Sequence, residues 1–194
     1  MSGGIVRAGD GDVAAVAGLV AEAFAGLAAT AWLVPDPHRR VSALRGQFAI
    51  LVAHAVRHGH VDLLDDGTAA AVWFDNTRDV PPPDGYDERL RAVAGDAVER
   101  FVHLDGLFAA HHPQRPHHHL ALLATDKRHQ RQGRGTRLVR HHHQVLDSDG
   151  VPAYLEASSP GSRDLYARLG YTVAEPFTLP DGTPFWPMWR DPTA

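Results

Sequence analysis

Apolar residues recur along the first half of the chain with two different periods. Val13, Val16, Val20, Ala23, Phe24 and Leu27 fall three or four apart, the spacing that gathers them on one face of a helix. Asp10 or Asp12 is placed to cap that helix, and a short strand from Ile5 to Arg7 precedes it. Pro35 and Pro37 interrupt the pattern, because proline excludes itself and the residue before it from regular helix. Val41, Leu44, Phe48, Leu51, Val52 and Ala55 then predict a second helix from His38 to His58, stopped by Gly59. The apolar runs Val61 to Leu64 and Ala69 to Phe74 flank Asp65-Asp66-Gly67-Thr68, which predicts a β-hairpin. A stiff connection, Pro81-Pro82-Pro83-Asp84-Gly85, leads to Tyr86, Leu90, Val93, Ala97, Phe101, Leu104 and Phe108. Their spacing predicts one long helix, ended by Pro113 and Pro116.

The second half alternates more briskly. A strand from His118 to Ala124 meets a glycine-containing turn, and a helix runs from Gly133 to Asp149 with Gly150 as its stop. A strand from Val151 to Glu156, a short helix from Arg163 to Leu169, and strands near Thr172 to Phe177 and Phe185 to Trp189 complete the chain. This order, without internal repeats, predicts one mixed α/β domain over residues 1–194.

Composition narrows the classes. A chain of 194 residues suits one domain with one sizeable core. It has no cysteine, so a disulfide framework, a cysteine nucleophile and a cysteine-ligated metal are excluded. A formal net charge of -4 argues against broad binding to nucleic acid or anionic membranes. No apolar stretch approaches the roughly 18 residues of a membrane span. The opening Met1-Ser2-Gly3-Gly4-Ile5-Val6-Arg7 does not read as a secretory signal. The expectation is a cytoplasmic monomer or homodimer with neither nucleic-acid nor membrane partners.

Candidate chemistry begins after the apolar segment Leu120 to Thr125. It runs into Asp126-Lys127-Arg128-His129-Gln130-Arg131-Gln132-Gly133-Arg134-Gly135-Thr136, a basic turn with two glycines at the start of a helix. Glycines there leave backbone N–H groups open to close approach, and the helix N-terminus favours an anion. Lys127, Arg131 and Arg134 add positive charge, and a pyrophosphate fits the arrangement. The dinucleotide fingerprint would need a third glycine, which Thr136-Arg137-Leu138 lacks. The triphosphatase loop would need Gly-Lys-Ser/Thr, and no lysine follows either glycine.

Gln130-x-x-Gly133-x-Gly135 after an apolar strand resembles the acetyl-CoA pyrophosphate loop of GNAT-type N-acetyltransferases. Leu165-Tyr166-Ala167-Arg168-Leu169-Gly170-Tyr171 resembles the second signature of that family, in the expected order. More narrowly, the chain is similar to the puromycin N-acetyltransferases of actinobacteria. The matching stretches are Val6-Arg7-Ala8, Asp66-Gly67 leading to Ala71-Val72-Trp73, and His129-Gln130-x-Gln132-Gly133. Gly150-Val151-Pro152-Ala153-Tyr154-Leu155-Glu156-x-Ser158 and Tyr166-x-Arg168-Leu169-Gly170 continue the match. The similarity is weakest between Asn76 and Pro116, and it departs in the loop Leu27 to Pro37 and before His117, where an acceptor would sit.

The resemblance implies a GNAT fold, with a mixed, mostly antiparallel sheet of about seven strands, splayed between the fourth and fifth, and flanking helices. It implies acetyl-CoA as co-substrate; no metal is expected, because neither histidine run has a recognised zinc spacing. Leu123, Ala124 and Thr125 would expose backbone to the pantetheine, with one N–H polarising the thioester carbonyl. Gln130, Arg131, Gln132, Gly133, Arg134, Gly135 and Thr136 would cradle the pyrophosphate. Tyr166 would act as general acid to the departing thiolate; its alternative is a core aromatic beside a buried Leu165–Leu169 face.

Other residues are read from chemistry alone. Glu156, at a strand end, is placed to take the ammonium proton directly or through water, or to be a structural partner. Trp32 and Trp73 are candidates for an acceptor pocket, with the sheet core as their alternative, and Trp186 and Trp189 share that ambiguity. Of the 14 histidines, His117 and His119 share one strand face, whereas His141-His142-His143 on a helix offers no i, i+4 histidine pair. His143 with Asp147 is the one such pairing, and neither run has a recognised zinc spacing. One histidine can serve as base for the amine, without the sequence saying which. Absence of cysteine excludes an acyl-cysteine intermediate and favours direct attack of the amine. The expected function is acetyl-CoA-dependent N-acetyl transfer to a small amine, an antibiotic or nucleoside-like metabolite. A protein or peptide N-acetyltransferase and a non-catalytic acetyl-CoA sensor are the alternatives.

Overall fold

The computed structural model describes residues 4–193. Strand β1 (Ile5–Arg7) is followed by helices α1 (Val13–Phe24), α2 (Ala28–Leu33) and α3 (Pro37–His58). Asp36 accepts a hydrogen bond from the His38 N–H at 2.9 Å, and Pro37 occupies the first turn, so α3 starts where its free donors are satisfied. The predicted hairpin forms as β2 (Gly59–Leu64) and β3 (Ala69–Asp75), with Gly67 at φ 70° in the turn. The expected loop from Leu27 to Pro37 contains α2, a helix too short to show a period.

The single long helix expected after Gly85 is instead two, α4 (Tyr86–Ala94) and α5 (Val98–His111). The break is Gly95, whose φ of 55° no right-handed helix can contain; a 3-10 turn bridges the two pieces. β4 (His118–Thr125), α6 (Arg134–Asp149), β5 (Ala153–Ala157) and α7 (Pro160–Ala167) follow. Ser159 and Ser162 form a reciprocal cap at α7, starting it three residues before the predicted Arg163. The strand expected over Thr172 to Phe177 is two short ones, β6 (Thr172–Val173) and β7 (Phe177–Thr178), and both pair with β8 (Pro184–Arg190).

The eight strands order as β1-β2-β3-β4-β5-β8-β6, with β7 joined to β8. All pairs are antiparallel except β4 and β5. Those two are parallel and meet only at His118–Ala153 and His119–Tyr154; beyond that they part. Just past this point β4 bulges. Leu122 opposes Val72 while Leu120 opposes Trp73, leaving Ala121 as the extra residue.

One face of the sheet packs on α1, α3, α4 and α5 through a core that includes Val20, Leu44, Phe48, Val72, Phe101 and Leu122. The other packs on α6 and α7 through Trp73, Leu138, Val139, Leu155 and Met188. Each such fully buried side chain contributes on the order of 1.5–3 kcal/mol. Among the described residues, no helix is long and apolar enough to cross a membrane.

Candidate active site

Once β4 and β5 part, the β5-facing edge of β4 has no strand partner. Leu123, Ala124 and Thr125 line the gap, together with Ser158, Ser159, Ser162 and Tyr166 from the β5–α7 segment. At its outer end lies the glycine turn. Gly133 caps α6 in the left-handed region (φ 77°), and Arg131 is the only described non-glycine residue with positive φ (60°). A bulky residue in that region is held there at a cost, and such strain clusters where backbone is aimed at a ligand.

The backbone N–H groups from Gln130 to Thr136 donate to no acceptor among the described residues. They are available to an anion, with the positive end of the α6 dipole behind them. The position of a Cβ on Gly133 has nothing within 4 Å, so the loop surface is open there. At Gly135 the constraint is internal: a Cβ would stand 3.4 Å from Thr125 Oγ1 and 3.5 Å from Leu123 Cδ2. Glycine lets α6 start flush against β4. The Arg134 side chain turns away from the loop mouth, bonding Asp66 and Thr68 Oγ1 (2.6 Å) in the β2–β3 turn. Hydrogen bonds from Thr68 and Arg134 hold the Asp66 carboxyl down at about 2. Arg134 therefore pins the turn to the hairpin, and its backbone N–H donates to no acceptor among the described residues.

The gap opens into a cavity of about 390 Å³ between the sheet and helices α1, α2, α3 and α5. Its walls are mainly apolar, with Phe24, Phe48, Phe74, Phe108 and Phe185 among them. His119 and Glu156 form a polar patch on its sheet side. Glu156 Oε2 accepts from His119 Nε2 at 2.8 Å, and Oε1 is buried without a protein partner. Burial alone would push the Glu156 carboxyl up. The charge and hydrogen bond of His119 and a contact with Tyr154 outweigh it, so the group lies below its ordinary value and is ionised. With Nε2 committed to Glu156, His119 keeps Nδ1 for a proton.

Two further histidines back this pair. Burial, then the neighbouring His119 and His117, pushes His112 down to about 4. His117 is likewise lowered, by burial first. The Asn76 amide donates to His112 Nε2 (3.0 Å) and His117 Nε2 (3.3 Å), and His117 Nδ1 donates to the Arg115 carbonyl (2.6 Å). Both rings are neutral acceptors at neutral pH, consistent with those bonds. Tyr166 also reaches the cavity, nearly enclosed, and burial pushes its phenol up, which keeps it protonated. Its hydroxyl has no protein partner among the described residues.

The tryptophans do not join the site. Trp73 lies on the opposite face of the sheet, fully enclosed under α6 and stacked on His142 at 4.2 Å between ring centroids. Trp32 packs beside His103 and Arg100 on α5, outside the cavity lining. Of the two readings open in the sequence, packing describes both. His118 and His142 meet on that opposite face as well, 3.0 Å apart between Nδ1 and Nε2. His143 bonds the Tyr171 hydroxyl at 2.9 Å, and Asp147 is taken by Arg190 and Thr193. What sequence reasoning left unassigned was the partner of Glu156. The signal was the alternation of the strand, which puts His119, and not His118, on the cavity face.

Comparison with known proteins agrees with this geometry. Residues 88–191 match a family model described as an acetyltransferase (GNAT) domain. A solved structure from Corynebacterium glutamicum, described as histone acetyltransferase HPA2 and related acetyltransferase, superposes with a TM-score of 0.74 at 27% identity. That match covers 100% of this chain and 98% of the other. A Drosophila melanogaster polyamine N-acetyltransferase (TM-score 0.58, 17% identity, 97% and 100% covered) shares the fold. So does the C-terminal condensation domain of Ebony (TM-score 0.61, 13% identity, 97% and 98% covered). By its family match over half its length, this chain belongs to the GNAT acetyltransferases.

Proposed function

We propose that the protein is an acetyl-CoA-dependent N-acetyltransferase acting on a small-molecule amine. The observation that carries this reading is the continuity of three parts. A loop of unpartnered backbone donors leads into the gap between β4 and β5, and the gap leads into a mainly apolar cavity that holds His119 and Glu156. Acetyl-CoA supplies the activated acetyl group. Gln130 to Thr136 hold its pyrophosphate by backbone N–H, and Leu123 to Thr125 offer backbone to the pantetheine and the thioester carbonyl. His119, with Glu156 behind it, takes the proton the amine loses as its nitrogen bonds the acetyl carbon. Tyr166 gives a proton to the thiolate as the carbon–sulfur bond breaks.

The cavity favours a small acceptor over a polypeptide, since its lining is mainly apolar and aromatic and not an acidic groove. The description of the Corynebacterium relative supplies the second reading, a protein amine. Both are tested by incubating pure protein and acetyl-CoA with amines and following free thiol and product mass. The panel includes puromycin, for the resemblance in the signature stretches, aminoglycosides and a histone-tail peptide. Thiol release with a small amine and none with the peptide is expected. Failure to bind acetyl-CoA overturns the reading; binding without transfer to any amine replaces it with a sensor.

A further inference from the structure

The helical wall of the acceptor cavity carries a carboxylate that the proposed chemistry does not use. Asp105 of α5 lines the cavity together with Gln47 of α3, among Phe48, Leu104 and Phe108. The Tyr86 hydroxyl, at the start of α4, donates to Asp105 Oδ2 at 2.8 Å and also lies against the Gln47 amide. Oδ1 accepts no hydrogen bond among the described residues, and none of their arginines, lysines or histidines pairs with this carboxylate. Burial raises the Asp105 carboxyl first; the Tyr86 bond lowers it in part, and Asp87 adds to the rise.

A carboxylate in an apolar wall is costly without a cation or a full set of donors. The neighbouring positions Phe101, Leu104 and Phe108 are apolar, as a helix facing a core requires. Two polar groups from two different helices, Asp105 and Gln47, nevertheless line the cavity at this place, with the Tyr86 hydroxyl of a third helix bonded behind them. The residue that positions Asp105 is a tyrosine whose single proton satisfies only one carboxylate oxygen. The other is left for what the cavity holds.

We propose that Asp105 binds a second basic group on the acceptor, so that the substrate class is a diamine whose two nitrogens are separated by an apolar or aromatic body. One amine is acetylated beside His119 and Glu156, and the other, as its ammonium, meets Asp105 with Tyr86 and Gln47 around it. The phenylalanines between the two polar places contact the spacer. This inference rests on the acetyltransferase reading of the same cavity.

The test compares matched pairs with a common spacer: benzylamine against para-xylylenediamine, and hexylamine against hexane-diamine. In the wild-type protein the diamine of each pair is expected to have a kcat/KM about tenfold higher or more, as a charge-assisted bond lost to the monoamine would give. Asp105→Asn keeps an acceptor for the Tyr86 hydroxyl and removes only the charge, and the diamine-to-monoamine ratio falls toward one. Thermal melting of Asp105→Asn without ligand checks that the variant folds. Diamine-induced stabilisation, measured without acetyl-CoA, is expected in the wild type and lost in the variant. Absence of diamine preference in the wild type, or a preference that survives Asp105→Asn, overturns the inference while leaving acetyl transfer standing. Diamine stabilisation that depends on Asp105, without transfer to any amine, supports the binding site and overturns the enzymatic reading instead.

Discussion

Tyr166 and Glu156 reach the cavity from β5 and the helix after it, and each is held by surroundings that fix its protonation. Burial keeps the Tyr166 phenol protonated, so it is a donor in the resting protein. Tyr166→Phe removes that proton and almost no volume; kcat is expected to fall by about a hundredfold, the low end for general acid catalysis. Acetyl-CoA affinity, measured by calorimetry, should stay within a factor of about two, because the loop donors are untouched. Glu156→Gln leaves His119 a weaker partner for the imidazolium; kcat/KM should drop by about a hundredfold or more in the thiol-release assay. An unchanged rate in either variant removes that residue from the mechanism. Their placement at the cavity was legible because each sits in a short motif with a fixed neighbour. Trp73 was not. Burial is continuous from Ala69 to Trp73, so alternation assigns no face to the tryptophan, and the bulge at Ala121 shifts which β4 side chains accompany it. Arg134 shows the same limit: its charge was assigned to the pyrophosphate, but the side chain pairs with Asp66, a partner from a hairpin distant in sequence.

At the scale of elements, the sequence located most boundaries within a few residues, since caps and glycine stops act locally. Besides the short α2 and the divided β6 and β7, the exception is Gly95. The apolar spacing from Tyr86 to Phe108 keeps a helical period on both sides of it, so the pattern alone gave no break. A second glycine marks a contact that periodicity does not contain. Gly46 lies in the interior of α3, where alanine would ordinarily be better by roughly 0.5–1 kcal/mol. Here a Cβ would stand 2.6 Å from Val93 Cβ of α4, a distance that real atoms do not share. Gly46→Ala is therefore expected to destabilise the protein, by about 1–3 kcal/mol in chemical denaturation. Trimming Val93 to alanine removes the equally close Cγ1 contact but leaves the one to Cβ, so it relieves the clash only in part. The effect should reach the site: Gln47 and Phe48 follow Gly46 directly and line the cavity, so KM for the acceptor rises while acetyl-CoA affinity changes little. A variant more stable than the wild type would mean that α3 and α4 do not cross at this distance.

At the scale of the whole molecule, three histidines act together through their burial. His112 at the end of α5, His118 on β4 and His143 in α6 lie on both faces of the sheet, and burial lowers each to about 4. In the unfolded chain the same imidazoles titrate near 6.5. Between those values the unfolded chain binds more protons than the folded one, so stability falls as pH falls. The contribution is complete above about pH 6.5 and is lost progressively down to about pH 4. Carboxylates act lower: Asp66, held at about 2 by Thr68 and Arg134, loses its contribution only below its unfolded value of 3.8. The two groups are thus separable by pH. Melting temperature is expected to be nearly level from about pH 8 to 6.5 and to fall steadily from there to about 4.5. His118→Asn removes one titrating ring, whose Nδ1 lies 3.0 Å from His142 Nε2, and keeps a group able to hydrogen-bond. The variant starts from a lower melting temperature, but its decline over the same interval should be shallower than that of the wild type. A melting temperature that stays level down to pH 4.5 would show that these rings accept protons without cost, and that the packing around β4 is looser than the buried contacts require.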